Sequence, residues 1–168
     1  MPIISFSHPK GGVGKTTLCF NFLVYLELQK KDFVCIDLDG QNSITNLNKI
    51  RKLSGLSPFE IISFKNENSL IDFLETNQQK TIEKQTKQKI KIDLVINRIS
   101  SNIKNIDNIT SQIDNCKHFS IAKNIIRDRI IFKNSLAEGK GILEVDSKGA
   151  SDLKAKEELN SLFKEFNL

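Results

Sequence analysis

No run of roughly 18 or more apolar residues occurs in this chain, which argues against a helix that crosses a membrane. The opening Met1-Pro2-Ile3-Ile4 has neither a basic start nor a long apolar stretch, so a secretory leader is not expected and the reading is of a cytoplasmic protein. Cysteine is scarce. Cys19, Cys35 and Cys116 are odd in number, scattered and set among apolar neighbours, which reads as reduced core thiols and not as a disulfide frame or a metal site. Neither His8 nor His118 has a partner at ligand spacing, so no structural metal is assigned. No internal repeat is visible.

What is present fits one domain. The 168 residues, 39% of them hydrophobic with Phe, Ile and Leu throughout, are enough for a real core. The balance of 25 basic against 20 acidic residues gives a net charge of +5, which permits attraction to a polyanion but taken alone describes a solvated surface. Strand and helix signals alternate. Ile3-Ile4-Ser5-Phe6 reads as a strand, Leu18, Phe22, Val24, Tyr25, Leu26 and Leu28 as an apolar helix to about Lys30, and Phe33-Val34-Cys35-Ile36 as a buried parallel strand. Gln41 to Leu53 reads as a loop then a helix, Ser57-Pro58-Phe59-Glu60 begins a short element, and Ser69 to Leu74 is a helical turn. Asn77 to Lys91, rich in Gln, Lys and Thr, is a solvated helix or linker, and Ile92 to Ile96 is a strand closed by Asn97-Arg98. Ile106, Ile109, Ile113 and Cys116 follow at helical spacing as core positions. In the last helix, Ser151 to Phe166, the residues Leu153, Leu159, Leu162, Phe163 and Phe166 share one side, a stripe better suited to docking on a sheet than to a membrane because Glu157, Glu158 and Glu165 interrupt the basic face.

The most informative stretch is Lys10-Gly11-Gly12-Val13-Gly14-Lys15-Thr16-Thr17 after that first apolar run. A chain leaving a strand and turning into a helix points successive backbone N–H groups at one anion, provided no side chain blocks the approach, and Gly11, Gly12 and Gly14 keep it open. Lys15 is then placed for β- and γ-phosphates, Thr16 for Mg²⁺, and the helix presents its positive end to the same charge. The strict pattern GxxxxGK[ST] fails only at its first glycine, where Pro9 stands. Two carboxylates, Asp37 and Asp39, lie one residue apart at the carboxyl end of the next strand, where the ligand crevice of an open α/β sheet is found.

Lys10-Gly-Gly-Val-Gly-Lys15-Thr16 resembles the deviant phosphate-binding loop of the ParA/MinD family of ATPases. The resemblance implies a three-layer α/β fold with a mostly parallel sheet and helices on both faces, one domain spanning 1–168, and ATP or ADP with Mg²⁺ as ligands. It implies that Lys10 reaches the nucleotide of a second subunit across an ATP-dependent homodimer, with Lys10, Lys15 and Asp39 as catalytic residues. Gly11, Gly12, Val13, Gly14, Lys15, Thr16 and Thr17 would hold the phosphates, and Asn97, Arg98 and Arg127 would border the base. Thr16, Asp37 and Asp39 would lie around the metal. Asp37-Leu-Asp39-Gly-Gln41 is similar to the family's D-x-D-P-Q switch, with Gly40 in place of its proline. Asn97-Arg98 resembles the family's NR pair, and Ile125-Ile126-Arg127-Asp128-Arg129 with Phe132 through Ala137-Glu138-Gly139 resembles its base-bordering segment.

On this resemblance the expected activity is that of a ParA-like partition or positioning ATPase. It would bind DNA nonspecifically as a dimer, be stimulated by a ParB-like partner, sit on the nucleoid when ATP-bound and make no stable membrane association. The alternatives are a noncatalytic nucleotide-binding module and a MinD-like membrane-positioning ATPase; a small-molecule enzyme of the same fold ranks last. One departure bears on turnover. Only the 50 residues from Asn42 to Lys91 separate the Asp37-x-Asp39 switch from the next strand, and none of them forms a four-residue apolar run ending in Asp. A strand-helix-strand insert would need roughly 30 residues or more, so the Walker B segment is expected to be missing, with the junction between about residues 75 and 81. ATP binding is expected to tolerate that loss better than hydrolysis does.

Overall fold

In the computed structural model, which describes residues 4–63, 92–100 and 119–166, the glycine-rich loop runs directly into helix α1, Lys15–Leu28. Its buried side chains, Leu18, Phe20, Asn21, Phe22, Leu23, Val24 and Leu26, face more than one side. The cause is tertiary: Leu18, Phe22 and Leu26 enter one apolar cluster, while Phe20, Leu23 and Val24 enter a second. A helix that is apolar all round is a buried helix. Gly14 forms its left-handed N-terminus, with no side-chain cap and no acidic residue in the first turn. The positive end of α1 is therefore left to whatever lies in front of it.

The remaining elements are strand β1 (Cys35–Asp37), helix α2 (Ser43–Leu53), strands β2 (Ile61–Ser63), β3 (Ile92–Leu94), β4 (Asn97–Ile99), β5 (Phe119–Ile121) and β6 (Ile126–Arg127), helix α3 (Ile130–Ala137), a 3-10 turn at Ile142–Glu144, and helix α4 (Ala150–Glu165). Every strand pairing among the described residues is parallel: β1 with β2, β3 with β5, and β4 with β6. The last two ladders follow one another along the same two chain segments. Ala122 N donates to Leu94 O at 2.9 Å and Ile126 N to Ile96 O at 3.0 Å, spanning the break between them. The α/β class with a parallel sheet is thus present, in short pieces.

Three expectations need correction. Residues 4–7 form no strand: Ile4 is exposed and Phe6 packs on Phe22 with ring centroids 5.6 Å apart. A strand exists only where a neighbour pairs with its backbone, and among the described residues none forms a ladder with this segment. The strand expected at Phe33 to Ile36 begins at Cys35 and includes Asp37, because its register is set by Ile61–Ser63. Asn97-Arg98 does not close a strand but opens one, since Ile126 and Arg127 pair with Asn97 and Ile99. The readings at Ser69 to Leu74, Asn77 to Lys91, the 75–81 junction, Ile106 to Cys116 and His118 lie outside the described residues.

Helix α4 docks as the sequence predicts, with one change of face. Leu159, Leu162, Phe163 and Ala155 are buried, whereas Leu153 is 46% exposed. Each fully buried leucine or phenylalanine contributes about 1.5–3 kcal/mol, and Phe163 meets Phe22 edge-on with ring centroids 5.0 Å apart. The acidic residues of α4 serve the sheet. Glu158 pairs with Arg129 at 2.6 Å and accepts from Arg127 N at 3.3 Å, while Glu165 accepts from Lys123 N and Asn124 N, each at 2.8 Å. These bonds fasten the β5–β6 segment over the end of the site. Among the described residues no helix is long and apolar enough to cross a membrane.

Candidate functional site

The loop between Ser7 and Lys15 is largely open to solvent and is held by its own polar atoms. His8 Nδ1 accepts from Lys10 N at 3.0 Å, and the Lys15 ammonium donates to Lys10 O at 3.2 Å, closing the loop on itself. The backbone is left-handed at Gly12 and Gly14. At Gly14 a Cβ would come within 2.7 Å of Asn97 Nδ2. Glycine here therefore makes room for a side chain from β4 as well as for an anion.

Asn97 and Arg98 meet this loop from behind. The Asn97 amide donates to Val13 O at 3.1 Å and its oxygen accepts from Arg98 N at 2.9 Å, while the Arg98 guanidinium donates to Gly12 O and pairs with Asp128 at 3.6 Å. The two residues expected at the base thus also brace the loop. They border a cavity of about 310 Å³ together with Gly12, Gly14, Lys15, Thr16, Thr17 and Leu18 on one side and Ile126, Arg127, Asp128, Phe132, Lys133 and Leu136 on the other. A volume of this order suits a small ligand. Its two ends differ in character: polar loop and helix N-terminus at one, the start of α3 at the other. Of the site residues taken from the sequence, Gly12, Gly14, Lys15, Thr16, Thr17, Asn97, Arg98 and Arg127 are brought together here. Lys10, Gly11, Val13, Asp37 and Asp39 do not line the cavity.

Asp37 is 6% exposed and its carboxylate is already engaged. One oxygen accepts from Asp39 N at 3.2 Å; the other accepts from Thr45 N at 3.1 Å and from the Thr45 hydroxyl at 2.7 Å. It joins the end of β1 to the first turn of α2, a side-chain capping role. Asp39 is exposed. It accepts from Gln41 N at 3.1 Å and from the Ser43 hydroxyl at 2.8 Å. These two bonds, aided by the nearby Lys15 ammonium, hold its carboxyl below the usual range. Among the described residues no group of three or more His, Cys, Asp or Glu side chains converges as a metal cluster.

Gly40 lies at the second position of a turn in which Asn42 N donates to Asp39 O at 2.8 Å. Its φ is not in the left-handed region, and a Cβ there would meet nothing within 4 Å. Proline is favoured at that place in such a turn. Gly40→Pro is therefore expected to stabilise the chain by about 0.4–1 kcal/mol, seen as a higher thermal midpoint. A lowered midpoint would mean that the loop needs a φ that proline denies.

The cavity wall beyond Arg127 was only partly legible. Ile126, Asp128 and Phe132 belong to the segment whose resemblance implies a place beside the base, whereas Lys133 and Leu136 carry no signal of their own and reach the cavity on α3.

Residues 4–142 match the family profile described as the CobQ/CobB/MinD/ParA nucleotide binding domain. No curated protein sequence matches the chain.

Proposed function

The chain belongs to the CobQ/CobB/MinD/ParA nucleotide-binding domain family, and from that premise we propose that it is a ParA-like ATPase whose ATP-bound dimer binds DNA without base readout. The observation that carries the nucleotide part is the single cavity shared by Gly12, Gly14, Lys15, Thr16, Asn97 and Arg127, with the uncapped N-terminus of α1 at one end. Backbone N–H groups of Gly12 to Thr16 and the Lys15 ammonium hold the phosphates, and the base lies toward Arg127 and Phe132. Lys10, exposed at the head of the loop, is free to reach a second subunit's nucleotide. Thr16, with Asp39 across the loop, would hold Mg²⁺, which supplies charge neutralisation on the phosphates; Asp37 fixes the segment that carries Asp39.

Asp39, an exposed carboxylate held by Gln41 N and the Ser43 hydroxyl, orients the attacking water, and charge stabilisation by Lys10 and Lys15 carries the rest. The buried apolar side of α4 speaks against a MinD-like membrane role for that helix.

The DNA claim rests on Lys and Arg contacts to phosphate, which are steeply salt-dependent. Full-length protein is expected to retain a duplex in the presence of ATP and Mg²⁺, to release it on raising the salt, and to lose retention in Lys10→Ala. Retention that is indifferent to nucleotide would remove the partition reading. A noncatalytic nucleotide-binding module is favoured by one observation, the commitment of Asp37 to Thr45. A phosphate-release assay with DNA separates the two.

A further inference from the structure

Arg98 carries a backbone cost that contact with a base does not explain. It lies inside β4 with a φ of 59°, a left-handed conformation that a residue with a Cβ seldom takes. The pairing of β4 with β6 passes over it: Asn97 stands opposite Ile126 and Ile99 opposite Arg127, with a register shift between them. An irregularity of this kind beside a site re-aims a side chain. Here the re-aimed side chain runs along the glycine loop. Its stem passes Gly14, where a Cβ would meet Arg98 Cδ at 3.3 Å, and its guanidinium donates to Gly12 O, so one side chain touches two left-handed glycines of the loop. The Asp128 carboxylate meets that guanidinium at 3.6 Å, and Asp128 is set in place by its own N–H, which donates to Ile99 O at 2.9 Å. Both partners are nearly half-exposed, and an exposed pair adds little to folding, so stability does not offset the strained backbone.

In a trans peptide the carbonyl and the following N–H point in opposite directions. Arg98 holds Gly12 O and the Asn97 amide holds Val13 O at 3.1 Å, so two successive peptides have their carbonyls fixed toward β4 and the N–H groups of Val13 and Gly14 turned away from it. Among the described residues neither N–H donates a backbone hydrogen bond. Successive N–H groups turned one way form an anion-binding concavity. We infer that Arg98, held by Asp128, is a positioning residue for the phosphate loop: with Asn97 it sets the Val13 and Gly14 N–H groups for a polyphosphate chain, whatever base that chain carries. This role rests on the nucleotide reading of the cavity. It moves Arg98 from the base to the phosphates, on which it acts through the loop.

The full chain is compared with Arg98→Gly, since glycine takes the left-handed backbone freely while removing the guanidinium. The thermal midpoint is expected to hold or rise. The dissociation constants for ATP and for inorganic tripolyphosphate, each read by displacement of a fluorescent ATP analogue, are expected to rise together by about tenfold. Asp128→Ala is expected to weaken both by about threefold, and its addition to Arg98→Gly to change neither further. A loss for ATP that spares tripolyphosphate would make Arg98 a base contact and overturn the role. A midpoint that falls along with the affinity would also overturn it, as the mark of a merely structural residue. Tighter binding by Asp128→Ala, or a further loss in the double variant, would overturn the part given to Asp128. Absence of ATP and tripolyphosphate binding by the unchanged chain would overturn the nucleotide reading together with this one, whereas binding that Arg98→Gly leaves intact overturns the positioning role alone.

Discussion

Lys15→Ala is expected to raise the dissociation constant for ATP on the order of a hundredfold, the equivalent of about 3 kcal/mol for a lost charge-assisted contact. Lys15 is the one cation that stands both at the N-terminus of α1 and on the cavity wall beside Gly12 and Gly14. Without it the backbone N–H groups and the helix end still attract an anion, but no full positive charge meets the terminal phosphates. Its present bond is an exposed one to Lys10 O, so the thermal midpoint should barely move. Equilibrium binding of a fluorescent ATP analogue checks the first expectation, and unchanged affinity in a folded variant would sink the nucleotide site as placed here. Lys10→Ala makes the contrast: it should leave monomer affinity nearly intact while abolishing the proposed ATP-dependent dimer.

The second large effect falls on stability, at a residue far from any phosphate. Arg51 is 2% exposed. Its guanidinium meets Glu27 at 2.7 Å and both oxygens of Glu144 at 2.7 Å, donates to Ser57 O at 2.7 Å and to Gly139 O at 3.3 Å, and lies 4.5 Å over the Phe59 ring. One side chain thus ties the last turn of α2 to α1 and to the 3-10 turn after α3. Arg51→Ala leaves the mostly buried Glu144 without its cation and Glu27, whose side chain is 37% exposed, with solvent alone, and removal of one partner of a buried ion pair costs about 3–5 kcal/mol. That is a large part of the 5–15 kcal/mol by which a domain of this kind is stable. Urea unfolding followed by circular dichroism should show the midpoint fall with an unchanged slope. Arg51→Lys is expected to recover only part, since an ammonium lacks the planar fork that meets Glu144 twice. A cost below about 1 kcal/mol, the worth of an exposed pair, would mean that water reaches the cluster.

Arg51 also shows where sequence reading stops. A basic residue near the end of an amphipathic helix reads as a solvated charge that favours the helix terminus, and α2 does carry Arg51 and Lys52 in its last turn. Nothing local separates them. Lys52 stays exposed while Arg51 is buried, because Glu27, Phe59 and Glu144 arrive from other elements. The carboxylates Asp37 and Asp39 divide in the same way. Their spacing marks a strand end facing a ligand crevice, yet only the approach of Thr45 makes Asp37 a structural group and leaves Asp39 exposed beside Lys15.

The sequence by itself determined the phosphate loop, the helix that follows it, the alternation of strand and helix, the docking of α4 and the family. Each of these is written in residues a few positions apart, where glycine, lysine and apolar spacing act on the local backbone. Among the described residues, tertiary structure alone decided that residues 4–7 form no ladder and that the strands pair as three short parallel ladders. It also decided that Asn97 and Arg98 brace Gly12 and Val13. A hydrogen bond and a buried charge both need a partner from a distant part of the chain, and the identity of that partner is set by packing rather than by any pattern at the residue itself.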